Sequence, residues 1–187
     1  TSKQELLVGN SADPETLDPS LATGLSETKI LRALFEGLVL ADQKTLEVIG
    51  RNHTPEQIRE AYFMARDCGI DCINMDLIAG LPYEDYESFH QSFNDVYAME
   101  PEQLQLGFLK VLKGSYMHEK VQDYGLQYQE KPPYEVLFTD WLSYEDVLRL
   151  KQVEEMVEIY YNSNQFTHTL PLLEQCFPTA FAMYEAL

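Results

Sequence analysis

The stretch "INMDLIAGLPYE", residues 73–84, decides the fold, because it is an apolar run that contains one carboxylate and ends in a sharp turn. Such a run is typical of a strand buried in a parallel sheet. Gly80 and Pro82 mark its end. Asp76 lies inside the strand. Its carboxylate is either a core polar group satisfied by loop amides or a functional group that points into a crevice, and the residues alone leave both interpretations open.

A well-marked helix precedes this strand in "HTPEQIREAYFMARDCG", residues 53–69. Thr54 can cap it, Pro55 suits its first position, and Gln57 completes a capping box. Gly69 is the matching stop signal. The period of apolar residues then changes from that of a helix to that of a strand, so the sequence predicts a helix followed by a buried strand.

The surrounding segments extend this alternation. We predict a helix over 84–98, a strand over 104–112, a short helix over 115–124, extended chain over 126–139, a helix over 143–161, and a last helix over 169–187 that is interrupted near Pro178. Before them we predict a strand over 5–10, a loop over 11–24 and a helix over 26–40. Helices and strands that alternate with short turns favour a parallel sheet flanked by helices. The fold class is therefore α/β, with a small parallel sheet followed by a mainly helical C-terminal segment.

Charge and cysteine content limit the partners. The chain has 13 basic and 31 acidic residues, a net charge of −18, which disfavours binding to nucleic acid or to an anionic membrane surface. It contains no apolar run long enough to span a bilayer. The three cysteines, Cys68, Cys72 and Cys176, are too few and too odd in number for a disulfide framework, and they lead us to expect a cytoplasmic protein.

Other constellations give no strong site. The four histidines lack the spacing of a zinc site, and no phosphate-binding glycine motif is present, so we expect no metal site. Aromatic residues concentrate in the C-terminal part, where they could floor a cofactor pocket, although core packing is the preferred interpretation. They are Tyr128, Tyr134, Phe138, Trp141, Tyr144, Tyr160, Tyr161 and Phe166.

Residues 46–84, "LEVIGRNHTPEQIREAYFMARDCGIDCINMDLIAGLPYE", resemble the second half of the barrel of radical S-adenosylmethionine enzymes, in the oxygen-independent coproporphyrinogen dehydrogenase-like group. The likeness rests on an "IGR-x-H-T" turn, a capped helix and "N-x-D-L-I-x-G-L-P". Residues 76 to about 170 resemble a cobalamin-binding-type radical S-adenosylmethionine family with its C-terminal helical domain. The resemblance implies that the sheet is part of a (β/α) barrel.

The same resemblance implies two cofactor-binding residues. Arg51 would lie near the carboxylate of S-adenosylmethionine, and Asp76 near its ribose. A guanidinium group suits a carboxylate, and an aspartate suits a diol. The enzymes of this group also hold a [4Fe-4S] cluster on a Cys-x3-Cys-x2-Cys loop. Cys68 and Cys72 have the first spacing without a third cysteine after them, so we expect no cluster and interpret them as small, partly buried residues.

The amino-terminal part has another resemblance. Residues 5–42, "ELLVGNSADPETLDPSLATGLSETKILRALFEGLVLAD", resemble the start of the peptide-binding proteins of ABC importers. The two resemblances meet near Asp42, so we interpret the chain as a chimera or a designed sequence. In it, "ELLVGN" could take the place of a missing barrel strand. The expected units are a strand–loop–helix segment over 1–42, a partial β/α unit over 43–113, and a mainly helical segment over 114–187.

Three functional hypotheses follow. The first is a folded scaffold that is catalytically inactive and keeps remnants of an S-adenosylmethionine crevice at Arg51 and Asp76. The second is part of a radical S-adenosylmethionine-type enzyme, and the third and weakest is a peptide-binding component. As the chain stands, the balance is against an enzyme. The partner we expect is a second copy of the chain, joined through exposed sheet edges.

Overall fold

The computed structural model describes residues 38–39, 43–49, 54–70 and 73–187. The strand and loop predicted over 5–24, most of the helix predicted over 26–40, and Arg51 lie outside the described residues. In the described part, the first elements are β1 (Leu38–Val39), α1 (Gln43–Val48), α2 (Pro55–Asp67), β2 (Asn74–Ala79), α3 (Tyr86–Tyr97) and β3 (Gln103–Phe108). The following elements are α4 (Tyr116–Glu119), β4 (Gln127–Tyr128), β5 (Val136–Phe138), α5 (Tyr144–Val157), a π-helical turn (Glu158–Asn162), α6 (Leu170–Glu174) and α7 (Ala180–Ala186).

The centre of the fold is a parallel sheet with the strand order β1-β2-β3. Leu38 pairs with Met75 in the first ladder, and Asp76 pairs with Gln105 in the second. The α/β class with a small parallel sheet is thus confirmed, and so are the capped helix and the apolar strand that follow each other in the sequence.

One predicted helix is wrong at its end. The helix expected over 26–40 placed Leu38 on its apolar stripe, whereas Leu38–Val39 is a strand that pairs in parallel with β2. Apolar runs as short as this one fit either period, and pairing with the neighbouring strand decides between them. In the described part, the strand that pairs with β2 on the side opposite to β3 is therefore Leu38–Val39. The "ELLVGN" segment lies outside the described residues.

The two faces of the sheet differ in burial. Side chains of β2 and β3 alternate, and one set, Met75, Leu77, Ala79, Leu104, Leu106 and Phe108, is buried in the hydrophobic core. The other set, which includes Asp76 and Gln105, is half-buried or exposed. A helix-covered apolar face and a more polar face are expected when helices pack on one side of a sheet.

Capping residues fix where the helices begin. Thr54 and Gln57 form the predicted capping box of α2, with Gln57 N–H donating to Thr54 Oγ1 at 3.3 Å. Helix α3 begins at Tyr86, two residues later than predicted, because Asp85 caps it through Ser88. Side chains that satisfy the free N–H groups of the first turn favour these starting points.

The extended chain predicted over 126–139 is a small antiparallel hairpin of β4 and β5. It is a separate two-stranded sheet. Backbone hydrogen bonds join it to the segment after β3, because Val136 N–H donates to the Leu109 carbonyl at 2.8 Å and Val111 N–H donates to the Tyr134 carbonyl at 2.9 Å. The short helix before it is shorter than the predicted 115–124, since only Tyr116–Glu119 is α-helical and turns follow up to Gly125.

The C-terminal helices follow the prediction with one change. The long helix is α-helical to Val157 and then widens into the π-helical turn. Its predicted inward stripe is confirmed at Val147, Leu150 and Val153, which are buried. The interruption predicted near Pro178 is confirmed, because the last helix is divided there into α6 and α7. None of the described helices is both long and apolar enough to cross a membrane.

Candidate functional site

A groove of about 1060 Å³ lies against the less buried face of the sheet. Asp76 and Ile78 of β2 and Gln105 and Gly107 of β3 line its floor. The groove continues past the carboxyl end of β3 to the 109–117 segment. Ligands of open parallel sheets bind outside the carboxyl ends of the strands, so this groove is the candidate site.

Asp76 is half-buried on the groove floor, beside its register partner Gln105. Burial raises the pKa of its carboxyl above the ordinary aspartate value. The contacts among the described residues include no hydrogen bond to this carboxylate, so they do not supply the loop amides that a satisfied core aspartate would need. A carboxylate that loses hydration in a groove is a common feature of binding sites.

The opposite wall carries several charged groups. Glu135 lines the groove and forms an ion pair with Lys151 Nζ at 2.7 Å, and this Nζ lies 4.2 Å from the centre of the Phe108 ring. Lys110 and Glu154 also line the groove. Burial is the main cause that raises the pKa of Glu154. The groove thus presents charges of both signs around walls that are mostly apolar.

The turn after β2 is held by contacts with helix α1 and with the C-terminal part. Thr45 Oγ1 donates to the Pro82 carbonyl at 3.1 Å, and Lys44 Nζ lies 3.8 Å from the centre of the Tyr83 ring. The Tyr83 ring also packs on Trp141, with centroids 4.6 Å apart. These contacts fix the turn that follows the Asp76 strand. They also hold α1, whose end forms one wall of the groove at Val48.

The aromatic residues singled out in the sequence do not form one cluster. Trp141 packs on Tyr83 and Tyr124, neither of which was in that set, whereas Tyr160 packs on Phe166. Others, Phe138 and Tyr144, are exposed. Packing, the preferred interpretation, applies to part of the set, and none of these aromatic residues lines the groove.

Of the polar residues that line the groove, the sequence pointed to Asp76 alone. Asp76 lines the groove, and Arg51 lies outside the described residues. Gln105, Lys110 and Glu154 line the groove without having been named. The alternation in "QLQLGF" carried a signal for Gln105, because a polar residue between buried leucines lies on the opposite face of a strand. Only the hairpin and helix α5 bring Glu154 to the site.

The residues fit the two implied groups differently. Asp76 fits a ligand with a diol, since it is a half-buried carboxylate in an open groove. For a [4Fe-4S] cluster, the described residues offer no set of ligands: Cys68 and Cys176 are exposed single cysteines, and no group of three or more His, Cys, Asp or Glu side chains in this part of the chain could bind a metal ion. Cys72 lies outside the described residues.

Parts of the chain are similar to known protein families. Residues 122–187 match the family model "Protein of unknown function (DUF4080)". The chain is 36% identical over 90 residues to the oxygen-independent coproporphyrinogen-III oxidase-like protein HemZ of Bacillus subtilis, covering 48% of this chain and 18% of that protein. About half of the chain is homologous to coproporphyrinogen-III oxidase-like proteins.

Two further relatives match the chain over similar or longer stretches. The oxygen-independent coproporphyrinogen III oxidase of Paracoccus denitrificans is 31% identical over 94 residues, covering 50% of this chain and 21% of that protein. The heme chaperone HemW of Bacillus subtilis is 26% identical over 132 residues, covering 68% of this chain and 35% of that protein. The chain therefore spans between about a fifth and a third of the length of these relatives.

Proposed function

We propose that this chain is part of a radical S-adenosylmethionine-type protein and that its groove holds S-adenosylmethionine, with Asp76 as the contact to the ribose. The observation that carries the proposal is the position of Asp76, half-buried on the floor of the groove beside Gln105. The homology of half the chain to coproporphyrinogen-III oxidase-like proteins supports it.

The chemistry of the groove suits this ligand. An aspartate carboxylate accepts hydrogen bonds from two hydroxyls of a diol, and such charge-assisted bonds are stronger than neutral ones. Apolar side chains such as Ile78 and Leu81 border the same space and can cover the nonpolar parts of a nucleoside. Arg51, which lies outside the described residues, is proposed as the contact to the amino-acid carboxylate.

We also propose that the chain is catalytically inactive by itself. Its only cysteines are Cys68, Cys72 and Cys176. Three thiolates in a Cys-x3-Cys-x2-Cys loop are needed to hold the cluster on which this chemistry depends, and these three do not have that spacing. The proposed role is therefore binding of the cofactor without its cleavage.

Calorimetric titration with S-adenosylhomocysteine tests the proposal, because this analogue needs no cluster. We expect saturable binding to the chain and a loss of affinity of at least about tenfold in Asp76→Asn, the size expected for hydrogen bonds to a charged group. Asp67→Asn, at an exposed helix end, is the matched control and should bind like the parent chain. Equal affinity of the parent chain, Asp76→Asn and Asp67→Asn, or no binding to the parent, would contradict the proposal.

The composite origin of the chain is a separate proposal. If residues 1–42 replace part of a barrel, a fragment of residues 43–187 lacks β1 and should lose cooperative unfolding or melt at a clearly lower temperature. A fragment that melts cooperatively at the temperature of the full chain would contradict this interpretation. The peptide-binding hypothesis rests on the same residues 5–42, almost all of which lie outside the described part of the chain.

A further inference from the structure

Two charged side chains that line the groove, Lys110 and Glu154, have no ion-pair or hydrogen-bond partner among the described residues. Glu135 already has a partner, because Lys151 Nζ lies 2.7 Å from it. Lys110 forms an isolated antiparallel backbone bridge with Glu135. Its ammonium nevertheless forms no ion pair within 4.0 Å among the described residues. Lys110 is exposed and lines the groove. It therefore presents a cation that the described structure leaves available.

Glu154 is the second of these side chains. It lies three residues after Lys151 on helix α5, half-buried, and lines the same groove. Its carboxyl makes no hydrogen bond within the described part of the chain. Burial raises its pKa, Glu135 and Glu158 act in the same direction, and Lys151 opposes them. Partly buried polar groups normally have partners, so this carboxylate is one that a bound donor would satisfy.

We propose that this end of the groove binds the zwitterionic group of an α-amino acid with an apolar side chain: Glu154 receives the ammonium, Lys110 the carboxylate, and Leu112 and Met117 the side chain. All four residues line the groove. Leu112 is an exposed large apolar residue, 51% accessible, which gives it surface to bury on binding.

The distribution of charge selects this class of ligand. A simple anion would be attracted by Lys110 and repelled by Asp76 and Glu154, and a simple cation would leave Lys110 without a partner. A zwitterion has an ammonium and a carboxylate a few ångströms apart, so each can meet a group of opposite sign. Ligands whose charges complement the site in this way gain specificity from it.

Titration with free L-leucine tests this inference independently of the adenosyl proposal, because leucine carries no adenosyl group. We expect saturable binding to the parent chain. N-acetyl-L-leucine lacks the ammonium and L-leucine methyl ester lacks the carboxylate, so each should bind at least about tenfold more weakly. Glu154→Gln and Lys110→Ala should each weaken leucine binding by a similar factor.

Neighbouring residues provide matched controls. Glu155→Gln changes an exposed carboxylate on the same helix, and Lys113→Ala changes an exposed lysine three residues after Lys110. Both should bind L-leucine like the parent. Leucine affinity unchanged in Glu154→Gln and Lys110→Ala, or absent from the parent chain, would overturn the proposal.

Nuclear magnetic resonance of the parent chain adds a readout that does not depend on any variant. Saturating L-leucine should shift the backbone amide signals of Lys110 and Glu154 and leave that of Glu155 unchanged. Shifts confined to other parts of the chain would overturn the proposal even if leucine binds. Binding of S-adenosylhomocysteine without binding of leucine would overturn this inference alone and leave the adenosyl site intact.

Discussion

Asn162 takes the place of a neighbouring strand beside Leu104. Its side-chain amide accepts the Leu104 N–H at 3.0 Å and donates to the Leu104 carbonyl at 2.9 Å, so both backbone groups of an edge residue are paired. The π-helical turn brings Asn162 to this position. The preceding residue, Tyr161, donates its hydroxyl to the Pro101 carbonyl at 2.5 Å. The C-terminal helices are thus fastened to the edge of the sheet.

Asn162→Ala should be one of the most destabilising substitutions in the chain. It leaves two buried backbone groups of Leu104 without partners, and each such group costs about 1–3 kcal/mol. We expect a loss of about 2–5 kcal/mol in the free energy of unfolding, measured by urea titration. Gln165→Ala, an exposed amide on the same segment, should change it by less than about 0.5 kcal/mol. Equal effects of the two changes would contradict the strand-like role of Asn162.

The same contact bears on self-association. Asn162 covers the outer edge of β3 at Leu104, and the hairpin covers its continuation at Leu109 and Val111. Unpaired strand edges are the usual route by which sheets join. Association of two copies through sheet edges stays a prediction, and these contacts disfavour it at Leu104, Leu109 and Val111.

A side chain at Gly80 should destabilise the fold. Its φ is +85°, and a Cβ there would meet Val136 Cγ1 at 2.6 Å. Gly114 is the matched control, because its φ is +82° and nothing lies within 4 Å of such a Cβ. Ala at Gly114 pays only for the left-handed backbone, about 1–2 kcal/mol. Ala at Gly80 should cost about 1–3 kcal/mol more.

Thermal or urea unfolding of both variants measures the difference. Gly80→Ala should cost less stability in a Val136→Ala background than in the parent chain, because Val136→Ala removes the atom that the new methyl group would meet. If the Gly80 and Gly114 variants lost the same stability, the close contact between the β2 turn and the hairpin would not exist in solution.

Asp76 should make stability fall as pH rises. Burial raises its pKa in the folded chain, so the folded state holds this proton more tightly than the unfolded state, whose carboxyl titrates near the ordinary value of about 3.9. The stability that comes from this tighter proton binding is complete below about pH 3.9, the unfolded value. It is lost as pH rises through the higher pKa of the folded chain. Asp76→Asn removes the dependence.

The variant should therefore be more stable than the parent at neutral pH, and the difference should shrink in acid. Unfolding free energies measured from about pH 3 to 7, the range in which a carboxyl titrates, test this expectation. A variant less stable than the parent at neutral pH would show that the Asp76 carboxylate has favourable partners in the folded chain.

The sheet and the C-terminal helices should unfold together. The sequence suggested separate units over 43–113 and 114–187, and we propose instead that residues 73–187 form one cooperative unit. Hydrogen bonds cross the boundary between Val136 and Leu109 and between Asn162 and Leu104. In hydrogen exchange, the amides of Leu104, Val111 and Val136 should exchange at one common slow rate. Much faster exchange of Val136 would support two separate units.

Local chemistry explains what the sequence predicted well. The capping box of Thr54 and Gln57 and the apolar run around Asp76 depend only on neighbouring residues, and both were found where expected. The strand at Leu38–Val39 could not be predicted, because its pairing with Met75 and Asp76 is a contact between distant parts of the chain. Tertiary pairing decided between two local periods that both fit.

The residues of the site also divide into those that local sequence reveals and those that only tertiary packing brings together. Asp76 was recognisable because a carboxylate in an apolar strand is conspicuous. Glu154 was not, since on a helix with many acidic residues it looks like one more solvated side chain, and only the packing of α5 beside β3 brings it to the groove. The strand-like pairing of Asn162 likewise depends on a widened helical turn that no local pattern announced.

The most direct test of the central claim is the carboxyl signal of Asp76, followed by nuclear magnetic resonance in a chain with ¹³C-labelled aspartate while S-adenosylhomocysteine is added. If the ribose diol binds this carboxylate, the signal should shift saturably and its pKa should fall, because hydrogen bonds favour the charged form. Asp67, exposed, serves as the internal control. An Asp76 signal that stays unchanged at ligand saturation would contradict the proposed site.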